Sequence, residues 1–540
     1  MRRASRVTAA ALLVAASGLA AGCGSGGQDP SVVRASWGDP QNPLEPANTT
    51  EVQGGKVLDM VFRGLMRYNP KTAVAEPMMA RSIRTTDSTH FTVRLKPGWT
   101  FSNGEKVTAH SYVDAWNYGA ATRNRQQGAP FFSYIDGYDR VHPAEEGARP
   151  TATRMRGLHV KDDLTFTVTL NQKFGLWPNT LGYTAFMPLP RAFFTDHAAW
   201  LRRPVGNGPY RIESYARGAL MKLRTWKDYP GPDPARNGGV DLQVYTDTDT
   251  AYTDLLAGNL DVVDDVPATQ LKFVAKDLGG RYINQPAGVL QTVAFPLYDK
   301  KWGTKGAASV RRGLSKAIDR AAITRRIFRD TRTPATDWTA QALGPRNGYK
   351  AGLCGDACRY DPAAARELVA KGGGIPGGRF TITYNADVGS HKLWVDALCN
   401  SINKSLRHHV CDGSPVGTLA DFRSRITRRK MTGPFRTAWQ MDYPLAQSFL
   451  QSVFTTGASA NESGWSSKGF DAAVNKANSQ AQEDRVNATY QAAEQLLVKD
   501  MPSIPLWYQN GIGGYSDRVE HVALNPFSVP VYTDISVKKD

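Results

Sequence analysis

A cation, an indole and a carboxylate fall within one short stretch, Phe435-Arg436-Thr437-Ala438-Trp439-Gln440-Met441-Asp442-Tyr443-Pro444. Such groups grip charge and offer a flat apolar face, and a guanidinium is shaped to hold a carboxylate through paired hydrogen bonds. If the first part is a strand, successive side chains alternate, and Arg436 and Trp439 point to opposite faces. Asp442 then opens the following turn, a position that Asp before Tyr-Pro suits well. On residue types alone, Asp442 is a turn former.

The motifs of catalysis are missing. There is no G-x-S-x-G elbow, no H-E-x-x-H, no P-loop and no G-x-G-x-x-G after a strand. The nine histidines are scattered along the chain. An enzyme is not expected, and neither is a cofactor. Of the five cysteines, Cys23 stands apart near the N-terminus, leaving Cys354, Cys358, Cys399 and Cys411. An even number outside the cytoplasm points to disulfides, with three pairings open. Cys354–Cys358 and Cys399–Cys411 close short loops and are the expected pairs. Zinc is the rival, with His408-His409 as the nearby imidazoles, but the C-x-x-x-C spacing lacks a second close pair. No metal is expected.

Arg2, Arg3 and Arg6 precede an uncharged run from Val7 to Ala21. That length suits the core of a signal peptide and falls short of a bilayer span. The run ends in Leu19-Ala20-Ala21-Gly22-Cys23, which resembles a lipobox, with Ala20 where Leu is usual. Residues 1–22 are therefore expected to be a lipoprotein signal peptide, Cys23 the lipidated residue, and residues 23–30 a Gly/Ser-rich tether. Lasting attachment to the membrane requires more than one acyl chain.

A chain of 540 residues is too long for one core. Its 41% apolar and 21% charged residues are ordinary for a globular protein. The net charge of +17 is spread out, with Arg423 to Lys430 the densest run, so a solvated basic surface is expected rather than a nucleic-acid site.

Strands and helices frame these residues. Period-two alternation places strands at Phe91, Val93 and Leu95, at Leu164, Phe166, Val168 and Leu170, and at Phe380, Ile382 and Tyr384. Val310, Leu314, Ala317 and Ile318 form a helical stripe, and so do Val486, Tyr490, Ala493 and Leu497. Asp361-Pro362 opens another helix and Gly372 stops it. The adjacent carboxylates Asp264-Asp265 are expected to face solvent. Mixed elements without a strict βαβ rhythm imply α/β or α+β layering in several domains.

Several blocks, in order, resemble one family. They are Asn42-Pro43-Leu44-Glu45-Pro46 with Val61 to Tyr68, Trp99 to Gly104 with Val107-Thr108-Ala109, and Gly208-Pro209-Tyr210. Further along come Val310 to Gly313, Ala317 to Arg320, Tyr360-Asp361-Pro362, and Pro502 to Leu506. Together they are similar to the extracytoplasmic solute-binding proteins of family 5, the oligopeptide and dipeptide receptors of ABC importers, over nearly all of the mature chain. His110-Ser111 stands where that family has an acidic pair, so a weaker helix cap is expected there.

The resemblance implies an α/β fold, periplasmic-binding-protein-like type II (cluster C), with two lobes, three domains and a ligand cleft between the lobes. Lobe I would comprise 31–57, 190–293 and 507–540, the inserted domain 58–189, and lobe II 294–506. It implies that a short peptide is held in extended form, its main chain paired with protein strands. The family's Trp-x-x-Asp-Tyr motif falls on Trp439 and Asp442, which makes Asp442 the partner of the peptide α-amine and Trp439 a pocket wall. Arg436 and His391 resemble the groups that meet the ligand carboxylate. Thr50, Glu51 and Val52 resemble a strand that pairs with the ligand, and Tyr508 is a further cleft candidate. Asp442 and Arg436 in one cleft would mark a peptide receptor. The expected partners are short peptides, a membrane permease and, through the lipid, the outer face of the cell membrane; a monomer is expected. Rival readings are the same fold with an oligosaccharide, metal chelate or modified peptide, presentation of a ligand to a sensor, and a secreted hydrolase.

Overall fold

The computed structural model describes residues 29–145, 147–387 and 391–539. Cys23, the signal segment and most of the tether lie outside them.

One mixed sheet of eleven strands runs through the molecule. From one edge its order is Cys411–Val416, Phe380–Asn385, Phe435–Gln440, Tyr282–Ala294, Ser503–Tyr515, Val262–Val263, Val32–Trp37, Gly239–Val244, Leu220–Thr225 and Tyr210–Ala216, while Arg332–Pro334 pairs beside Ser503–Tyr515. Two 13-residue strands, Tyr282–Ala294 and Ser503–Tyr515, lie antiparallel at its centre. Tyr282 to Pro286 pair with Asn510 to Gly514, Leu290 to Ala294 pair with Tyr508 to Ser503, and the register breaks between Pro286 and Leu290. Every side chain from Ser503 to Tyr508 is buried, as a strand covered on both faces requires.

A separate antiparallel sheet joins Ala80–Arg84, His90–Leu95, Thr165–Thr169 and Leu158–Asp162. The alternation at Phe91, Val93 and Leu95 and at Phe166 and Val168 turns these side chains inward. The helix Ala109–Ala120 packs on them, and its Trp116 meets the rings of Phe166, Trp177 and Phe186. This helix is capped without an acidic pair, because Ser111 Oγ accepts the Thr108 backbone N–H at 3.1 Å.

Other helices follow their patterns. Lys305–Lys316 buries Val310 and Leu314. Pro362–Lys371 starts where the Asp361 carboxylate accepts the Ala364 N–H at 3.0 Å, and Gly372 ends it. Glu483–Asp500 buries Val486, Tyr490, Ala493 and Leu497. Cys354 is bonded to Cys358 and Cys399 to Cys411, and among the described residues no cluster suited to a metal occurs.

The first and last segments of the chain meet at Asp261. Its fully buried carboxylate takes Arg34 at 2.9 Å and Arg518 Nε at 2.9 Å. Burial alone would raise this carboxyl, but the hydrogen bonds from Arg518 and Arg34 outweigh it and hold it below the usual range. The expectation that Asp264 faces solvent is corrected: it pairs with the buried Lys56.

Candidate functional site

Asp442 lies just past the strand Phe435–Gln440, where the chain turns into the helix Ala446–Phe454. Its backbone N–H donates to Ser448 Oγ at 3.3 Å. No hydrogen bond or ion pair from the described residues reaches its carboxylate, and burial pushes this group up to about 7. A half-buried carboxylate without a partner is partly desolvated, so the position is one that a cation would relieve.

Two cavities meet at this side chain. The larger, about 580 Å³, is walled by Phe131, Tyr134, Trp177, Trp439, Tyr443 and the loop from Thr455 to Ala460. The smaller, about 360 Å³, is walled by Thr50, Glu51, Val52, Asp59, Tyr68 and Phe527 among others. After burial, the negative charge of Asp442 is a further cause that raises the phenols of Tyr68, Tyr183 and Tyr443, which places these rings around it.

Trp439 faces the larger cavity, and behind it is a third of about 80 Å³ that Thr437 and Glu462 also line. Its indole N–H is enclosed without an acceptor. Across the larger cavity, the Tyr134 hydroxyl accepts from Gln447 Nε2 at 3.1 Å and from Gln451 Nε2. Gln451 Oε1 accepts from Asn478 at 2.9 Å, and the Tyr490 hydroxyl donates to Asn478 at 2.6 Å. No local pattern in the sequence marks Tyr134, Gln447 or Gln451.

The structure brings Arg436 and His391 together, apart from both cavities that meet at Asp442. Arg436 donates through Nε to Asn385 Oδ1 at 2.9 Å, and its guanidinium lies 5.1 Å from the Phe422 ring centre. Burial, with Arg423 nearby, pushes Arg436 down to about 10. Burial first and the Arg436 charge second push His391 down to about 4, and its Nδ1 accepts the Trp394 indole N–H at 3.0 Å. The ring is therefore neutral at pH 7. The expectation of Arg436 and Asp442 sharing one cavity is not met.

Two more expectations are corrected. Thr50 to Val52 do not form a strand. Glu51 is the N-cap of the helix Val52–Val61, its two carboxylate oxygens accepting the Gly54 N–H at 3.0 Å. Both Glu51 and Val52 nevertheless line the smaller cavity. Tyr508 is in the core, 1% exposed, its hydroxyl accepting the Thr336 N–H at 3.0 Å and its ring edge-on to Tyr349. It lines neither cavity at Asp442.

A model of the bacterial extracellular solute-binding proteins, family 5 (middle region), matches residues 74–461. The chain belongs to this family. Among similar proteins, the dipeptide-binding protein DppE of Bacillus subtilis is 24% identical over 491 residues, covering 87% of this chain and 85% of DppE. The probable deoxycholate-binding periplasmic protein YgiS of Escherichia coli is 24% identical over 478 residues, covering 86% of each. The crystal structure of Haemophilus influenzae OppA in complex with RPPGFSPFR superposes with a TM-score of 0.74 at 18% identity, covering 94% of this chain and 99% of that one. This likeness identifies the fold of the family 5 protein as the α/β type II periplasmic-binding-protein fold. Family 5 proteins bind solutes outside the cytoplasm, and among the described residues no helix is long and apolar enough to cross a membrane.

Proposed function

We propose that this protein is a receptor that captures short peptides and hands them to the permease of an ABC importer. The observation that carries the reading is the Asp442 carboxylate, half-buried and without a partner among the described residues where two cavities meet. A peptide α-ammonium supplies the missing charge, and Trp439 walls the space for a neighbouring side chain. Beyond Phe435, the strand Phe435–Gln440 pairs on one side only among the described residues, so its other edge is free for an extended main chain. Neither cavity is lined by Lys, Arg or His, which favours a cationic group over an anionic one such as a bile acid. Arg436 and His391 are assigned to the far end of longer ligands, Glu51 and Val52 to the rim, and Tyr508 to support of the hinge strand.

In this reading lobe I is 31–57, 190–293 and 507–540, the inserted domain 58–189 and lobe II 294–506. The lobes swing about the two central strands where the chain crosses between them, near residues 294 and 506. Cys23 carries the lipid after removal of 1–22, residues 23–30 tether the domain to the outer face of the membrane, and the receptor acts as a monomer that binds without transforming its ligand.

Native mass spectrometry of the folded domain, purified without denaturation, tests the reading through identification of the released ligands. A mixture of short peptides supports it. A single non-peptide ligand that added peptides do not displace would overturn it. Asp442→Asn should lower peptide affinity at least about a hundredfold, since it removes the partner of a desolvated ammonium.

A further inference from the structure

Two parts of the chain far apart in sequence build the larger cavity. Phe131, Tyr134, Phe174 and Trp177 stand on one side, Trp439 and the loop from Thr455 to Ala460 on the other. In the proposed division, the first group belongs to the inserted domain and the second to lobe II. Next to Phe174 the two parts touch backbone to backbone, the Gly175 N–H donating to the Asn478 carbonyl at 2.9 Å. Asn478 is the last residue of the helix Lys468–Asn478, so its carbonyl has no partner within that helix. The Asn478 side chain donates to Gln451 Oε1 at 2.9 Å, and Gln451 in turn donates to the Tyr134 hydroxyl. Asn478 thus takes part in two polar bridges from lobe II to the inserted domain.

This contact admits only glycine at position 175. A Cβ there would sit 2.0 Å from the Gln480 carbonyl oxygen and 3.0 Å from Ala481 Cα, both backbone atoms. Neither side is free to retreat. Phe174 is buried, its N–H donates to the Ser88 carbonyl at 2.8 Å, and its ring centre lies 5.0 Å from that of Tyr134. Gln480 is held by its own N–H on the Ala477 carbonyl at 3.1 Å and by its side chain on Thr489 Oγ1 at 3.3 Å. The backbone at Gly175 is not left-handed, so its conformation gives no reason for a glycine. The three atoms nearest to the missing Cβ all belong to Gln480 and Ala481. The bare position therefore serves the meeting of the two parts, and the fold of the inserted domain by itself does not call for it.

We infer that Gly175 is the seat of a latch, through which the inserted domain grips lobe II and holds the receptor shut on its ligand. The inference rests on the peptide reading above and adds to it a working part for the inserted domain. Gly175 is a positioning residue, since it lines neither cavity at Asp442. The hydrogen bond and the close approach exist only while the two parts are together. They stabilise the shut form and contribute nothing to the open one. The ligand enters before the latch forms, so association is indifferent to it and dissociation is not.

The test compares the wild type with Gly175→Ala, using Ala-Ala-Ala as the probe. Stopped-flow tryptophan fluorescence should show the peptide leaving the variant about tenfold faster, with its association rate unchanged. Small-angle X-ray scattering at saturating peptide should give the variant the larger radius of gyration. The unfolding temperature of the unliganded variant should match that of the wild type. Hydrogen exchange reads the latch without any substitution: the wild-type segment that carries the Gly175 amide should gain protection when the peptide binds. Equal dissociation rates would overturn the inference and leave the peptide reading standing. So would a variant that is destabilised without ligand, or a Gly175 amide equally protected with and without peptide, because either would mark a permanent interface. A wild type that binds no peptide at all would overturn the peptide reading and the inference with it.

Discussion

At neutral pH the Asp442 carboxyl is near the middle of its titration, since burial has pushed it up to about 7. An ammonium beside it returns it to the ordinary carboxylate range, so binding releases a proton at pH 6, whereas at pH 9, where a free α-amine is mostly neutral, binding as the ammonium takes one up. Affinity for a peptide with a free α-amine should therefore fall as pH drops below 7, approaching tenfold per unit. Calorimetry in buffers of different ionisation heat reads both the affinity and the proton, and a flat profile from pH 8 to 5 would remove Asp442 from the site. The same shift acts on folding with a definite sign. The native carboxyl keeps its proton to a higher pH than the unfolded one, so the penalty grows as pH rises from about 4 and is complete above 7. Asp442→Asn should raise the unfolding temperature of the unliganded protein at pH 8 and leave it nearly unchanged at pH 4. The residue types around 442 draw attention from sequence alone, whereas its isolation from any counter-charge does not, because that depends on what segments hundreds of residues away fail to supply. Glu51 is harder still. Glu is a weak N-cap signal beside Ser, Thr, Asp and Asn, so nothing local announces that the chain turns into a helix there.

The helices with clear apolar stripes and the strands with clean alternation are legible in the amino-acid pattern. The central strand Tyr282–Ala294 is not. It contains Pro286 and Gly288, which normally argue against a central strand, and here they fall at its register break. A second element that leaves no trace in the sequence is the polar chain from Tyr134 through Gln447 and Gln451 to Asn478 and Tyr490. It joins the segment around residue 134 to three helices on the far side of the larger cavity. If closure of the cleft uses these bonds, Tyr134→Phe should weaken ligand binding by about three- to tenfold, the worth of one or two hydrogen bonds. The loss should appear mainly in the dissociation rate, read by stopped-flow fluorescence. An unchanged rate would mean that the chain does not hold the closed form.

At the scale of the molecule, one sheet runs throughout, and the part of it around Val32–Trp37 is assembled from segments far apart in the chain. Discontinuous assembly has no local signature, so composition and periodicity indicate only several domains; the ordered blocks of a known family supply the rest. Asp261 is the meeting point, shared by Arg34 near the beginning and Arg518 near the end. Asp261→Ala should cost about 3–5 kcal/mol, because it strands two guanidinium groups at a buried site. Denaturant unfolding measures the loss, and a change below about 1 kcal/mol would show that the ions are solvated instead. The same arrangement governs when the chain can fold. A growing polypeptide already contains Arg34 and Asp261 long before residue 518 emerges, and until then the buried carboxylate lacks one of its two cations and Val262–Val263 lacks one of its two partner strands. The sheet around Asp261 therefore stays incomplete while the chain is being made. Such a delay keeps the polypeptide threadable until its C-terminal segment has been released, which suits a protein that must cross a membrane before it takes its shape.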